Sequence, residues 1–240
     1  VPKGRTAPLP CIVWNRGGHG EFSAIHEGQL FAGQLAAFAR AGYVVIASQY
    51  AGNAGGDGVD EFGGSDVHDV LALYTILKEW SVADDTRIGI YGASRGGIMT
   101  YRTLAQVSWA RAAAVTAGVS NLYRNANERP AMREKFLDAF GAHETGMHER
   151  SALYWSEALP ATVPILLQHG TADWRVNPLD SYELAGQLLQ QRKPHRLILY
   201  EGGDHALSEF THEVNGQVIS WFNRFVRDGE PLPDMTPHGA

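Results

Sequence analysis

The chain has 240 residues, 44% hydrophobic and 19% charged, with a formal net charge of −6. That length and balance suit a single globular domain spanning residues 1–240, and the acid excess excludes the broad basic surface that nucleic acid requires. No apolar run approaches the ~18 residues that cross a bilayer, and the lone cysteine, Cys11, excludes an intrachain disulfide or a multi-cysteine zinc site.

A single thiol suits a reducing compartment, so a cytoplasmic location is favoured without being settled. No secretory signal pattern is visible, and the chain starts at Val1 rather than Met, as a processed or trimmed form would.

In chain order, Leu9 to Trp14 is a short apolar run that reads as a buried strand, followed by the turn Asn15-Arg16-Gly17-Gly18-His19-Gly20. Leu30 to Arg40 places Leu30, Phe31, Leu35 and Phe38 at helical spacing and stops near Gly42. Tyr43 to Ser48 is β-branched and reads as a buried strand; Gln49 to Gly64 is a glycine-rich loop. Ser65 is placed to cap a helix from Asp66 to about Trp80, with Asp66 and Asp69 in the first turn, where the helix dipole favours negative charge.

Thr86 to Tyr91 is a strand, Arg95 to about Val107 a helix, and Ala112 to Ala117 a further strand. Residues 121–159 interrupt the alternation: they are polar, hold two or three helical pieces and return no strand, and so read as an insertion over the strand ends. Val163 to His169 is a strand. Asn177-Pro178 opens a helix to about Gln191. Arg196 to Tyr200 is a strand, and Ser208 caps a last helix to about Arg227, before a proline-rich irregular tail. Alternating strands and helices predict an α/β fold with a mostly parallel sheet covered on both faces, with ligands at the carboxyl ends of the strands.

The stretch Tyr91-Gly92-Ala93-Ser94-Arg95-Gly96-Gly97 carries Gly-x-Ser-x-Gly between strand and helix, the context of a nucleophile elbow. The loop after Val163–His169 carries Asp173, and the loop after Arg196–Tyr200 carries His205. Serine, acid and histidine thus lie in that chain order on loops of one rim, the order expected after such an elbow. A serine hydroxyl is a poor nucleophile at neutral pH, so His205 is the candidate base for Ser94 and Asp173 the group that orients it. Rival acids and bases have simpler readings. Asp204 adjoins His205 too closely to face it, Asp180 reads as a solvated helix residue, His169 as a local packing or bonding partner, and His195 and His212 as surface residues. An oxyanion needs donors: the backbone N–H of Arg95 is one, and the turn at Arg16-Gly17-Gly18 is placed to supply the second.

These segments together resemble the catalytic domain of the prolyl oligopeptidase family of serine peptidases, within the α/β-hydrolase fold. The resemblance runs from about Leu9 to Val226. It takes in Arg16-Gly17-Gly18, Glu61-Phe62-Gly63-Gly64-Ser65-Asp66, the Ser94 elbow, His169-Gly170-Thr171-Ala172-Asp173-Trp174-Arg175-Val176 and Gly202-Gly203-Asp204-His205. It implies Ser94, Asp173 and His205 as a triad. It also implies Arg175 as a substrate-carbonyl ligand, because prolyl-specific members carry an arginine two residues after the acid. Trp174 adjoins that acid and is a candidate pocket residue. Three departures accompany the match. Many family peptidases have a tyrosine where Arg16 stands, which leaves a backbone N–H or the Arg16 guanidinium as the second oxyanion donor. The dipeptidyl peptidase branch has a tyrosine pair where only Tyr123 stands near, so Tyr123 is a candidate substrate contact but that branch's substrate preference is not carried over. The β-propeller of larger members has no room here, and strands that usually precede the one at Leu9 are missing.

Other motifs are set aside. His143 and His148 are five residues apart with a glycine between, not at the i, i+4 spacing of a helical zinc site. Asp57-Gly58-Val59-Asp60-Glu61 lacks the alternating ligands of a calcium loop, and no Gly-Lys-Ser/Thr follows the glycine-rich turns. The reading is therefore a serine hydrolase that needs no metal or cofactor. It cleaves short peptides through an acyl-enzyme, with a carboxylesterase acting on small esters as the alternative and a non-catalytic binding domain as a lesser one. Neither nucleic acid nor membrane is expected as a partner, and a homo-oligomer is compatible with the sequence.

Overall fold

A computed structural model describes residues 7–239. Its centre is a six-stranded sheet in the order β2-β1-β3-β4-β5-β6. The strands are β1 Leu9–Asn15, β2 Val44–Ala47, β3 Ala83–Ala93, β4 Ala110–Thr116, β5 Ile165–Gly170 and β6 His195–Tyr200. Every neighbouring pair is parallel. The central strands are apolar on both sides because helices cover both faces.

On one face, α3 (Val67–Glu79), α4 (Gly96–Leu104) and α8 (Leu179–Gln190) press Leu77, Tyr101 and Leu184 onto Ile88, Ile90 and Val115. On the other, α2 (Gly33–Arg40) and α9 (Thr211–Phe222) bring Phe38, Val218 and Phe222 against Ile12, Tyr91 and Ala114. Neighbouring residues of one strand enter opposite cores, as the two-residue side-chain period of a strand requires. Gly89 lies under the Phe222 ring, where a Cβ would come within 2.8 Å of it. Cys11 is fully buried, and burial pushes its thiol up to about 12.

The mostly parallel α/β architecture expected from the alternation is the one observed. Local boundaries differ. The helix expected over Leu30 to Arg40 breaks at Ala32, which is extended, into α1 (Glu27–Phe31) and α2; Gly33, at φ 72°, makes the junction. The last helix is composite: a 3₁₀ turn at Ser208–Phe210, then α9, then a π turn at Asn223–Arg227. The two aspartates assigned to the dipole of α3 have other partners. Asp66 Oδ1 accepts the Gly63 N–H at 2.9 Å, and Asp69 Oδ2 accepts the Ala51 N–H at 2.7 Å, so both fasten the preceding loop. No helix among the described residues is long and apolar enough to cross a membrane.

The segment between β4 and β5 forms α5 (Leu122–Glu128), α6 (Pro130–Phe140), α7 (Glu144–Glu149) and two 3₁₀ turns. It has its own small core, in which Leu122, Phe136 and Met147 meet Phe62, Ile98 and Val176 from the sheet side. Its root is held by Asp180, which sequence pattern alone reads as solvated. Asp180 is instead 1% exposed. Its Oδ2 accepts the Ser120 and Asn121 N–H groups at 2.8 and 2.9 Å, and Oδ1 pairs with Arg124 at 2.8 Å.

Candidate active site

β3 ends at Ala93, and the chain turns sharply at Ser94, whose φ of 55° is left-handed. An L-residue in that region carries strain of roughly 1–2 kcal/mol. Surrounding bonds offset it: Ser94 N–H donates to Thr116 O at 3.0 Å, and Ser94 O accepts from Gly97 at 2.9 Å and Val119 at 3.2 Å. The flanking glycines are required by contact. A Cβ on Gly92 would collide with the Gly96 carbonyl, and one on Gly96 with the Asn15 carbonyl. The turn therefore lifts Ser94 above the sheet at the start of α4.

The two loops that follow β5 and β6 meet it there. His205 Nε2 lies 3.0 Å from Ser94 Oγ, and His205 Nδ1 lies 2.7 Å from Asp173 Oδ2. Nδ1–H donates to the carboxylate, which leaves Nε2 free to accept the serine hydroxyl. Asp173 Oδ1 accepts the backbone N–H groups of Arg175 at 2.8 Å and Val176 at 3.0 Å. A second imidazole reaches Oδ2. His169, fully buried, places Nε2 3.1 Å from Asp173 Oδ2 and 3.0 Å from Val176 O, while its Nδ1 lies 2.7 Å from Ser181 Oγ. Both neighbours of Nε2 are acceptors, so Nε2 carries the proton and Nδ1 accepts from Ser181. Burial alone would raise the Asp173 pKa. The hydrogen bonds from His169 and His205, with those from the loop backbone, hold its carboxyl well below the usual carboxylate range. Asp204, the rival acid, accepts the Ala206 N–H at 2.9 Å.

Beside Ser94 lies the turn after β1. A Cβ on Gly17 would stand 3.1 Å from Ser94 Cβ and 3.7 Å from Ser94 Oγ. The backbone N–H groups of Gly17 and Arg95 donate to no acceptor among the described residues. The Arg16 guanidinium, the other option for the second donor, is spent elsewhere. Nε donates to Gln49 O, Nη1 to Gly17 O and Phe22 O, and Nη2 to Gly20 O and Asn53 Oδ1. With five donors engaged, Arg16 builds the turn rather than offering a side-chain N–H. Arg95 locks the turn to the elbow. Its Nη1 donates to Gly18 O at 3.1 Å, its guanidinium pairs with Asp60 and Asp66 at 2.6 Å each, and it lies 4.8 Å from the Tyr50 and Phe62 ring centroids.

Ser94 and His205 open into a cavity of about 480 Å³. The insertion supplies one wall through Leu122, Met132 and Phe136, and Arg129 and Arg175 also line it. Trp174 is 70% exposed and does not line the cavity; its ring backs both arginines, with Arg129 Cζ 5.4 Å and Arg175 Cζ 5.3 Å from its centroid. Tyr123, a candidate substrate contact, is turned away. Its hydroxyl donates to Glu144 O at 3.0 Å and its ring packs edge-on against Tyr154, because α7 lies across it. His143, set aside as a zinc ligand, caps α7 by accepting the Gly146 N–H at 3.0 Å. Sequence pattern gave no notice of Arg129 or Asn125. His169 was visible beside the Asp173 motif but not its aim, since i, i+4 spacing across a strand end has no fixed direction.

Comparison with known proteins gives a consistent result. A model of the prolyl oligopeptidase family matches residues 29–228. An uncharacterized peptidase of Bacillus subtilis, YtmA, is 32% identical over 210 residues, 84% of this chain and 78% of its own length. Among solved structures, a Mycobacterium tuberculosis puromycin-hydrolyzing peptidase superposes with a TM-score of 0.77 at 24% identity, over 94% of this chain and 35% of that one. Uncomplexed Pyrococcus horikoshii acylaminoacyl peptidase gives 0.80 at 22%, over 97% of this chain and 40% of that one. At those identities the two structures speak for the fold. The chain spans less than half the length of either.

Proposed function

Because this chain belongs to the prolyl oligopeptidase family of serine peptidases, we propose that its serine hydrolase chemistry runs through Ser94, His205 and Asp173 and is directed at short peptides. The observation that carries the reading is the unbroken line Ser94 Oγ–His205 Nε2 at 3.0 Å, His205 Nδ1–Asp173 Oδ2 at 2.7 Å. His205 takes the hydroxyl proton as Ser94 Oγ attacks the substrate carbonyl. Ionised Asp173 holds the neutral imidazole in the tautomer that accepts this proton and stabilises the imidazolium that forms. The oxyanion of the tetrahedral intermediate accepts from the Arg95 and Gly17 backbone N–H groups, each such donor being worth roughly 3–4 kcal/mol in the transition state. Collapse expels the amine, which takes the proton from His205 and leaves an acyl ester on Ser94. A water molecule, deprotonated by His205, then attacks that ester and restores the free serine.

Support for peptides comes from the family and from the partly apolar cavity walled by the insertion, which suits a short chain segment or its N-acyl cap. Small activated esters are easier acyl donors for the same machinery, so some ester turnover accompanies peptidase activity.

A fluorophosphonate probe should label the wild-type chain at Ser94 and leave Ser94→Ala unlabelled; folded wild type that resists the probe would sink the triad. Aminoacyl and N-acylaminoacyl p-nitroanilides compared with p-nitrophenyl esters then separate the substrate classes. Turnover of esters with no detectable anilide cleavage rejects the peptide assignment in favour of a carboxylesterase.

A further inference from the structure

The cavity holds an excess of positive charge that the hydrolytic step does not use. Three arginines line it, and they differ in partners. Arg95 is ion-paired to Asp60 and Asp66. Arg129 and Arg175 form no ion pair among the described residues. The nearby carboxylates pair with neither: Glu128 Oε1 accepts from Asn177 Nδ2 at 2.9 Å, and the Asp173 charge reaches Arg129 without an ion pair. Asp173 receives His169 and His205 on one oxygen and the Arg175 and Val176 N–H groups on the other.

The Arg129 guanidinium and the Arg175 backbone are held in place before any ligand arrives. Arg129 occupies the one-residue link between α5 and α6. Its Nη1 donates to Arg175 O at 3.3 Å, and Asn125 Nδ2 donates to the same carbonyl at 3.0 Å. With its N–H on Asp173 Oδ1, Arg175 is pinned at both ends of its backbone unit. Its guanidinium carbon lies 5.8 Å from the Phe22 centroid and 5.3 Å from that of Trp174, with Arg129 at 5.4 Å from the same indole. Two like charges brought together against one ring repel, and burial followed by the nearby Arg175 charge lowers the pKa of Arg129. An anion between them relieves that repulsion and accepts from both forks.

We infer that Arg129 and Arg175 form a carboxylate-binding subsite of the Ser94 cavity, so that the substrates best bound carry an anionic group close to the scissile carbonyl. The inference rests on the cavity being the substrate site. It goes beyond a single arginine contact to a neutral carbonyl, because two unpaired guanidiniums exceed what one carbonyl can satisfy. The carboxylate can belong to the acyl portion or be the free C-terminus of the leaving peptide.

The test is equilibrium binding by calorimetry to the Ser94→Ala chain, which needs no turnover. Two matched pairs serve as probes: N-succinyl-alanine anilide against its succinamoyl counterpart, for the acyl side, and N-acetyl-Ala-Ala against its C-terminal amide, for the leaving side. One carboxylate should bind about tenfold more tightly than its amide at low ionic strength, as charge-assisted hydrogen bonds predict. Added salt should shrink the preference, and Arg129→Gln or Arg175→Gln should bring the ratio close to one. Equal affinities in both pairs, no binding by any probe, or a preference that survives both substitutions overturns the subsite. Fluorophosphonate labelling of the wild-type chain keeps the two readings apart. Labelled Ser94 with equal affinities removes the subsite alone, whereas unlabelled Ser94 with a retained preference removes the triad and keeps an anion site.

Discussion

His169 Nε2 lies 3.1 Å from Asp173 Oδ2, the carboxylate oxygen that also receives His205 Nδ1 at 2.7 Å. One oxygen is thus shared by two imidazoles, one fully buried and one facing the cavity. The buried ring is fixed by Ser181 Oγ and Val176 O, so it holds the carboxylate in the orientation that His205 needs.

Removing that support should act on turnover. His169→Leu leaves the acid without one of its donors, and small misplacements of a catalytic group cost up to about 100-fold in rate. The expected result is a fall in kcat of roughly 10- to 100-fold with KM little changed, measured per active site titrated with fluorophosphonate. His169→Gln, which keeps an N–H donor, should recover part of the loss. Unchanged kcat per titrated site in His169→Leu would reduce His169 to a packing residue.

Gly17 tests the oxyanion assignment. A methyl group there would stand 3.1 Å from Ala93 O and Ser94 Cβ, with Ser94 Oγ at 3.7 Å. Gly17→Ala should push the turn away from the elbow and lower kcat by about 100-fold, the scale of losing one oxyanion donor. Thermal unfolding should shift little, because the site lies at the sheet rim. An unaffected kcat would show that the second donor lies elsewhere.

Arg95→Met isolates a stability role. Asp66 is 1% exposed and faces Arg95 at 2.6 Å, so losing the guanidinium strands a buried charge. Breaking such a pair costs about 3–5 kcal/mol, read as a lower urea midpoint. Adding Asp66→Leu should restore part of it, since the orphaned carboxylate is then gone too.

The depressed pKa of Asp173 sets a pH dependence of stability. A carboxylate more acidic when folded contributes stability that is complete above its unfolded pKa of about 3.9 and is lost as pH falls toward the folded value. Asp173→Asn should therefore be less stable than wild type at about pH 7, with the gap narrowing toward about pH 2. Urea titrations of both proteins across that range check the sign. Asp173 stays ionised throughout the mildly acidic range, so the acid limb of kcat/KM does not come from this carboxylate.

Local features were legible in the chain. Strands and helices alternate with their own periodicities, so the parallel α/β architecture follows from pattern. Gly92, Ser94 and Gly96, set as Gly-x-Ser-x-Gly between an apolar run and a helical pattern, announce a tight strand-to-helix turn, because the two glycines let strand and helix approach closely. Ser94, Asp173 and His205 could be picked as candidates since each follows a strand, and parallel strands deliver such loops to one rim. These inferences need only neighbours in sequence.

What crosses the chain was not legible. Asp180 looks like any exposed helix acid until the insertion lays the Ser120 and Asn121 amides on it. Arg16 looks like an available donor until five acceptors from two loop segments surround it. The insertion shows its helices in its sequence, yet nothing local says that Tyr123 turns toward α7 while Arg129 turns toward Arg175. Sequence alone determined the scaffold and the candidate groups, because backbone periodicity and steric need are properties of adjacent residues. Only the tertiary structure decided which charges are paired and which face the cavity, because pairing depends on side chains dozens of residues apart meeting in space.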